Sequence, residues 1–203
     1  MELRRSSRFR RVTPALPVAE HSTPTPSTGR VSVRALVLVG VVAVLVYIAD
    51  QGAKALVLAN LELNQIEPFI GELLQLHLVK NAGAAFSLGS GSTWIFAIIA
   101  SVVAIGLVVF ARRIRSLRWA TVFGLLLGGT LGNLSDRLFR EPGFGVGHVV
   151  DFLQLYGFPA IFNVADIGIS AAMVLFILFT IRGINLDGSR TRRASKAVPG
   201  DAV

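Results

Sequence analysis

The 203-residue sequence contains no cysteine and few charged residues for its length. Without cysteine, the chain cannot form disulfides, zinc–thiolate sites or iron–sulfur clusters, and it has no thiol nucleophile. Charged residues make up 16% of the chain against 53% hydrophobic residues, and the mean hydropathy is +0.64. This composition excludes a disordered protein, a secreted disulfide scaffold and a cytosolic enzyme. It indicates an integral membrane protein.

Motifs for several other chemistries are also missing. The sequence has no His-Glu-x-x-His, and the run Gly-Ser-Gly-Ser at residues 89–92 is not followed by Gly-Lys-Ser/Thr. A zinc protease site and a phosphate-binding loop of these kinds are therefore excluded. The histidines His21, His77 and His148 are scattered through the tail and loops, which argues against Ser–His catalysis. We expect a protein that needs no metal ion or organic cofactor.

Four apolar runs are long enough, or nearly so, to cross a bilayer. They predict a bundle of four transmembrane helices within an all-α membrane fold. The predicted spans run from Val33 to Ala49 with a possible extension to Leu58, from Trp94 to Ala111, from Trp119 to Leu134, and from Pro159 to Ile181.

The basic residues give these spans a direction. Sixteen of the twenty Lys and Arg residues lie in the N-terminal tail, in the loop between spans two and three, or in the C-terminal tail. By the positive-inside rule, both termini are cytoplasmic and residues 50–93 and 136–158 face outward. Nucleic-acid binding by the tails is an alternative explanation of the net charge of +8, but anchoring beside anionic lipid is the simpler one.

The predicted organisation is a disordered basic tail at residues 1–32, a four-span domain at 33–181 and a basic cytoplasmic tail at 182–203. The first span could instead be read as a cleavable signal peptide. However, no clear cleavage site follows it, and the residues that do follow it include the charged Asp50 and Lys54. Alternation of Leu74, Leu76 and Leu78 with polar residues predicts a small extracytoplasmic β element. A stripe of glycines at intervals of four in span three predicts close helix packing.

Four of the six aspartates converge on the outer side of this topology. Asp50 ends span one, Asp136 ends span three, Asp151 lies in the last outer segment, and Asp166 lies about seven residues into span four. A carboxyl in an apolar helix must face a polar cavity or a partner. Two carboxyls in one poorly solvated site share a proton, so they can supply an acid and a base. Four aspartates form six possible pairs, and spacing alone does not choose among them.

Five sequence blocks on this frame resemble, in order, the motifs of bacterial lipoprotein signal peptidases (signal peptidase II). Each block alone is weakly specific, but five in order on four spans are strongly so. The similarity extends over about residues 35–181. The blocks are DQGAK at 50–54, NAGAAF at 81–86, GNLSDR at 132–137, VVDF at 149–152 and FNVAD at 162–166.

The resemblance implies an intramembrane aspartic endopeptidase of the bacterial cytoplasmic membrane. Such enzymes cleave prolipoproteins before a diacylglyceryl-modified cysteine and are inhibited by globomycin. It implies Asp151 and Asp166 as the catalytic pair. It further implies that Asn133, Arg137 and Asn163 line the substrate site. Asp50, Lys54 and Asn81 match further motif residues of that site, with roles in positioning and structure. The expected partners are lipidated prolipoproteins, membrane lipids and globomycin-type inhibitors, with no nucleic acid.

Two other functions remain open from the residues themselves. The outer carboxylates could bind lipid head groups or a partner without catalysis, or Asp166 could serve a proton-coupled transporter. A transporter favours an internal repeat and polar residues along its whole path, whereas the polar groups here stop in the outer half. Within the enzyme hypothesis, we expect Asp166 to be the more desolvated carboxyl and therefore the neutral one, and Asp151 to act as the base.

Overall fold

The computed structural model describes residues 31–83 and 93–190. Most of the predicted disordered tail at 1–32, the end of the C-terminal tail, and Ala84, Ala85 and Phe86 of the second motif lie outside the described residues. The described elements follow the order α1 (Val33–Asn60), β1 (Ile66–Ile70), β2 (Leu74–Asn81), α2 (Thr93–Ala111), α3 (Leu117–Phe139), β3 (Val149–Leu155), β4 (Ile161–Phe162) and α4 (Val164–Ile181).

Helix α3 lies at the centre of the helical part and packs against α1, α2 and α4. Its glycine stripe faces α1 at close range. A Cβ added to Gly124 would lie 2.6 Å from the Cβ of Val42, and one added to Gly128 would lie 2.6 Å from the carbonyl oxygen of Ala43. No larger side chain fits at either position without a shift of α1, so the stripe permits the close packing that the sequence predicted.

Among the described residues, α1, α2 and α4 are the helices long and apolar enough to cross a membrane. Helix α3 has 23 residues, which is about 34 Å at 1.5 Å per residue, but it is less apolar than the other three. Much of its surface is covered by its neighbours rather than by lipid, and one face carries small and polar residues. Three of the four predicted spans are thus helices that could cross a membrane by length and composition, and the fourth stays a prediction.

The strands form one antiparallel sheet in the order β1-β2-β3-β4. The leucine alternation correctly predicted β2, but β1, β3 and β4 were not predicted. Asp151 therefore lies within a strand, opposite Val79 of β2, rather than in a loop. A second small apolar core beneath the sheet includes Leu78, Val150 and Phe152, and it joins the sheet to the end of α1 through Val57.

Candidate active site

Asp151 is held by the sheet. Asn81 at the end of β2 pairs with Val149, so its side chain lies diagonal to Asp151 on the same face of the sheet. The Nδ2 of Asn81 donates to Oδ2 of Asp151 at 2.8 Å. Register between two strands, which is a long-range property, therefore brings the NAGAAF and VVDF motifs together.

Asp166 is held by the start of a helix. Helix α4 begins at Val164, not at Pro159, so Asp166 occupies the third helical position instead of lying seven residues into a span. Asn163 is the N-cap. Its Oδ1 accepts the backbone N–H of Asp166 at 3.0 Å, and its own N–H donates to Oδ2 of Asp166 at 3.1 Å. This reciprocal capping box explains a carboxyl at the head of an apolar helix, because it satisfies two helix-terminal donors.

Asn163 also connects the two aspartates. Its Nδ2 donates to Oδ1 of Asp151 at 2.6 Å, while its backbone N–H holds Asp166. Asn133 of α3 completes the link, since its Nδ2 donates to Oδ1 of Asp166 at 2.9 Å and its Oδ1 accepts from Asn163 at 3.0 Å. Asn163 is completely buried, so it fixes both carboxyls from behind.

The order of burial of the two aspartates is the reverse of the one expected from the sequence. Asp151 is only 3% exposed, whereas Asp166 is partly exposed, so Asp151 is the more desolvated carboxyl and our expectation was wrong. Burial, together with repulsion by Asp166, raises the pKa of Asp151 to about 6, although hydrogen bonds from Asn81 and Asn163 oppose the shift. The error arose because β3 was taken for an exposed outer segment.

A buried ionic cluster lies beneath the pair. Lys54, Asp50 and Asp136 have no exposed surface. The ammonium group of Lys54 lies 2.7 Å from Oδ2 of Asp50 and 2.7 Å from Oδ2 of Asp136, and it donates to Oδ1 of Asn133 at 3.0 Å. All three ammonium protons thus have a partner, as a buried charge requires. Asp50 and Lys54 therefore cannot line a substrate surface in this structure, and they support the site from within.

The two carboxylates of this cluster each hold a backbone amide next to a candidate catalytic residue. Oδ1 of Asp50 accepts the N–H of Ala165 at 2.9 Å, and Oδ2 of Asp136 accepts the N–H of Val150 at 3.2 Å. Ala165 precedes Asp166 and Val150 precedes Asp151. Because Lys54 bridges both carboxylates, it links the backbone segments that carry the pair.

Two members of the cluster were missed in the sequence. Gln51 donates from Nε2 to Oδ1 of Asp136 at 3.1 Å and to the carbonyl of Gly132 at 3.0 Å. Arg140 donates from Nε to Oδ1 of Asp136 at 2.6 Å. The spacing of four residues between Asp136 and Arg140 was a usable signal for an ion pair on one helix face.

Arg137 lies apart from this cluster. Its guanidinium carbon lies 5.1 Å from the ring centroid of Phe96 in α2, and its buried Nη1 has no hydrogen-bond partner among the described residues. The arginine that pairs with Asp136 is Arg140 rather than Arg137. A buried donor without a partner is costly, so this group is available to an acceptor that enters the site.

The four aspartates of the site differ in their partners. In the part of the chain that the structure describes, no group of three or more His, Cys, Asp or Glu side chains could hold a metal ion. The four outer aspartates belong to one network through Lys54, Asn133 and Asn163, in which Asp50 and Asp136 are neutralised by cations. Asp151 and Asp166 are held by neutral amides instead, which leaves their carboxyls able to exchange a proton.

Comparisons with known proteins agree with this geometry. The profile of a family described as signal peptidase (SPase) II matches residues 42–182. A lipoprotein signal peptidase of Leifsonia xyli subsp. xyli is 61% identical over 168 residues, which cover 82% of this chain and 77% of that protein. One from Rhodococcus jostii is 45% identical over 153 residues, covering 75% and 77%. A solved bacterial membrane enzyme superposes with a TM-score of 0.66 at 28% identity, over 75% of this chain and 97% of that one.

Proposed function

The chain belongs to the signal peptidase II family, a family of membrane proteases that remove signal peptides from prolipoproteins, and on this basis we propose that it is an intramembrane aspartic endopeptidase. Its substrates are prolipoproteins, which it cleaves before a diacylglyceryl-modified cysteine. The observation that carries the proposal is the pair Asp151 and Asp166, two uncompensated carboxyls connected through the buried Asn163.

The environments of the two aspartates support different roles. Asp166 lies in the first turn of α4, where the helix dipole and the N–H groups of Asn163 and Asn133 stabilise negative charge. Asp151 is the more buried carboxyl, and its pKa is raised to about 6 by that burial and by Asp166, so we assign the proton that the pair shares to Asp151. This assignment reverses the roles expected from the sequence.

The reaction then runs as proton exchange within the pair. Asp166 takes a proton from a water molecule whose oxygen attacks the scissile carbonyl, while Asp151 gives its proton to the carbonyl oxygen. The tetrahedral intermediate collapses as Asp166 passes its proton to the leaving amine nitrogen and Asp151 recovers the proton from the hydroxyl. Both carboxyls end as they began, and one water has been added across the peptide bond.

Arg137 completes the site as a donor to the substrate. Its buried Nη1 has no hydrogen-bond partner in the part of the chain that the structure describes, and its guanidinium is close enough to the pair to feel the charge of both aspartates. A substrate backbone carbonyl would satisfy this donor and align the scissile bond. Asn81 and Asn163 hold Asp151, and Asn133 holds Asp166, so these three amides are positioning residues.

The distribution of charge supports an orientation in the bacterial cytoplasmic membrane. Arg112, Arg113, Arg115 and Arg118 precede or begin α3, whereas the aspartate pair lies at the opposite ends of α3 and α4. The positive-inside rule then makes both termini cytoplasmic and directs the site to the outer face, with four membrane-crossing helices. A lipidated cysteine would reach this site from the outer leaflet.

Purified protein incubated with a lipidated prolipoprotein tests the proposal. We expect globomycin-sensitive cleavage before the lipidated cysteine, and poor cleavage of the unlipidated precursor, because the lipid anchor supplies binding energy remote from the scissile bond. D151N and D166N should each lose cleavage by about 10²-fold or more, as expected for removal of a general acid or base, while remaining folded.

A matched control is E72Q, which changes an exposed carboxyl in the turn between β1 and β2 and should keep full activity. Folding of each variant is checked by its thermal melting curve in detergent. Cleavage by folded D166N or D151N at the wild-type rate would overturn the aspartic mechanism, and equal rates on lipidated and unlipidated precursor would overturn the substrate assignment.

A further inference from the structure

A groove of about 750 Å³ lies at the end of the helices opposite to the aspartates. It is formed by the end of α2, the start of α3, the end of α4 and the turn that follows α4. We call it the basic groove. Its volume lies within the range of about 300–1,000 Å³ that is typical of small-molecule sites. Nothing in the proposed peptidase mechanism uses it.

The walls of the basic groove are aromatic and firmly packed. Phe110 of α2 stacks on Phe123 of α3 with 5.7 Å between ring centroids, and Trp119 meets Phe176 of α4 edge to face at 5.4 Å. The indole N–H of Trp119 donates to the carbonyl of Ile184 at 3.1 Å, so the polar atom of this wall is already satisfied. The interior of the groove is therefore preformed and apolar.

The mouth of the basic groove carries positive charge. Arg113 and Arg115 line it, and the guanidinium of Arg113 lies 5.6 Å from the ring centroid of Phe110. Both arginines are exposed. One acid also lines the groove, namely Asp187, whose carboxylate accepts the backbone N–H of Ser189 at 2.8 Å. Two cations against one anion leave an excess of positive charge beside an apolar interior.

We propose that the basic groove binds an anionic phospholipid of the cytoplasmic leaflet, with an acyl chain against the aromatic wall and the phosphate at Arg113 and Arg115. The apolar wall is complementary to an acyl chain. The two arginines are complementary to the phosphate, because arginine binds phosphate through several donors. Basic pockets between helices on the cytoplasmic side commonly hold anionic head groups. The assignment to the cytoplasmic leaflet rests on the orientation proposed above.

Trp119 offers a direct test, because the chain has only two tryptophans and the other, Trp94, lies at the far end of α2. The full-length variant W94F is reconstituted in phosphatidylcholine vesicles that contain increasing fractions of phosphatidylglycerol with brominated acyl chains, or of phosphatidylcholine with the same chains. Bromine quenches a neighbouring indole. We expect half-maximal quenching at an about tenfold lower fraction of the anionic lipid, as for one charge-assisted contact.

Two double variants on the W94F background separate the groove from general surface charge. R113Q/R115Q removes the arginines that line it, and the preference for phosphatidylglycerol should disappear. R112Q/R118Q removes two exposed arginines of the same region that do not line it, and the preference should stay within about twofold of that of W94F.

Three results would overturn the proposal. Equal quenching of W94F by the two lipids would show no selectivity. An equal loss in both double variants would assign the preference to the charge of the whole surface. In the third, either lipid quenches Trp119 only after residues 191–203 have been removed. That result would identify the chain's own C-terminal segment as the occupant of the basic groove. None of these results bears on cleavage of prolipoproteins, so the peptidase proposal is tested separately.

Discussion

Replacement of Lys54 by methionine, which keeps the length of the side chain and removes its charge, should destabilise the protein severely. Lys54 is completely buried, and its ammonium group lies 2.7 Å from carboxylate oxygens of both Asp50 and Asp136. Removing one member of a buried ion pair leaves an uncompensated charge and typically costs about 3–5 kcal/mol. Arg140 still neutralises Asp136 in the variant, so the uncompensated carboxylate is that of Asp50.

The appropriate control is K80M. Lys80 also forms an ion pair, with Nζ 2.9 Å from Oε2 of Glu141, but its side chain is 40% exposed and that of Glu141 is 83% exposed. Pairs of this kind contribute about 0–1 kcal/mol. The two variants remove the same charge by the same substitution, and they differ in the burial of the carboxylate that loses its cation.

The assay is reversible unfolding in mixed micelles, followed by tryptophan fluorescence, with prolipoprotein cleavage measured on the folded fraction. K54M should lose about 3–5 kcal/mol and most of its activity, since the amides of Ala165 and Val150 lose their common anchor. The double variant D50N/K54M should recover part of the stability, because it removes the unpaired carboxylate. If K54M costs no more than K80M, or if D50N does not improve it, the cluster does not hold the site as described.

Three further predictions concern the pair and its surroundings. The pKa of Asp151 is raised to about 6, so its protonated form predominates below that pH. Because this form is the proposed acid, kcat/KM should fall as the pH rises through about 6. A pH profile in which kcat/KM rises over the same range would instead make Asp151 the base. Gly132→Ala would bring a Cβ to 2.6 Å from Oδ2 of Asp50 and should cost about 1–3 kcal/mol in the same unfolding assay, whereas Gly40→Ala, with no neighbouring atom within 4 Å, should be harmless. Arg137→Ala should lower kcat/KM about 10²–10³-fold with little change in melting temperature, and full activity would remove Arg137 from the site.

The sequence predicted the apolar parts of the four helices because a long apolar run is a local property. It predicted β2 from its alternation but missed β3, since Val149–Leu155 is almost wholly buried and shows no alternation of apolar and polar residues. The position of Asp166 was misjudged for a related reason. The apolar run begins at Pro159, yet the chain first forms the short strand β4, and the cap at Asn163 starts the helix.

Most hydrogen-bond and ion-pair partners within the site could not be predicted from local sequence patterns. Resemblance to a family gave Asp50, Lys54 and Asn81 positioning and structural roles, but it did not give their partners. Only the packing of α1 against α3 shows that Asp50 and Lys54 lie inside, and only strand register brings Asn81 to Asp151. Pairings between residues some 70 to 115 positions apart leave no periodic signal in one sequence.

The spacing of the buried ions has a consequence for insertion into the membrane. Asp50 and Lys54 are four residues apart on α1, and Arg140, the C-cap residue of α3, lies four residues after Asp136, so each of these two anions has a cation on its own helix or at its end. An ion pair of this kind costs less to bring into a bilayer than a lone charge. When the helices meet, Lys54 gains Asp136 as a second partner, so neither Asp50 nor Asp136 depends on that contact for its first cation.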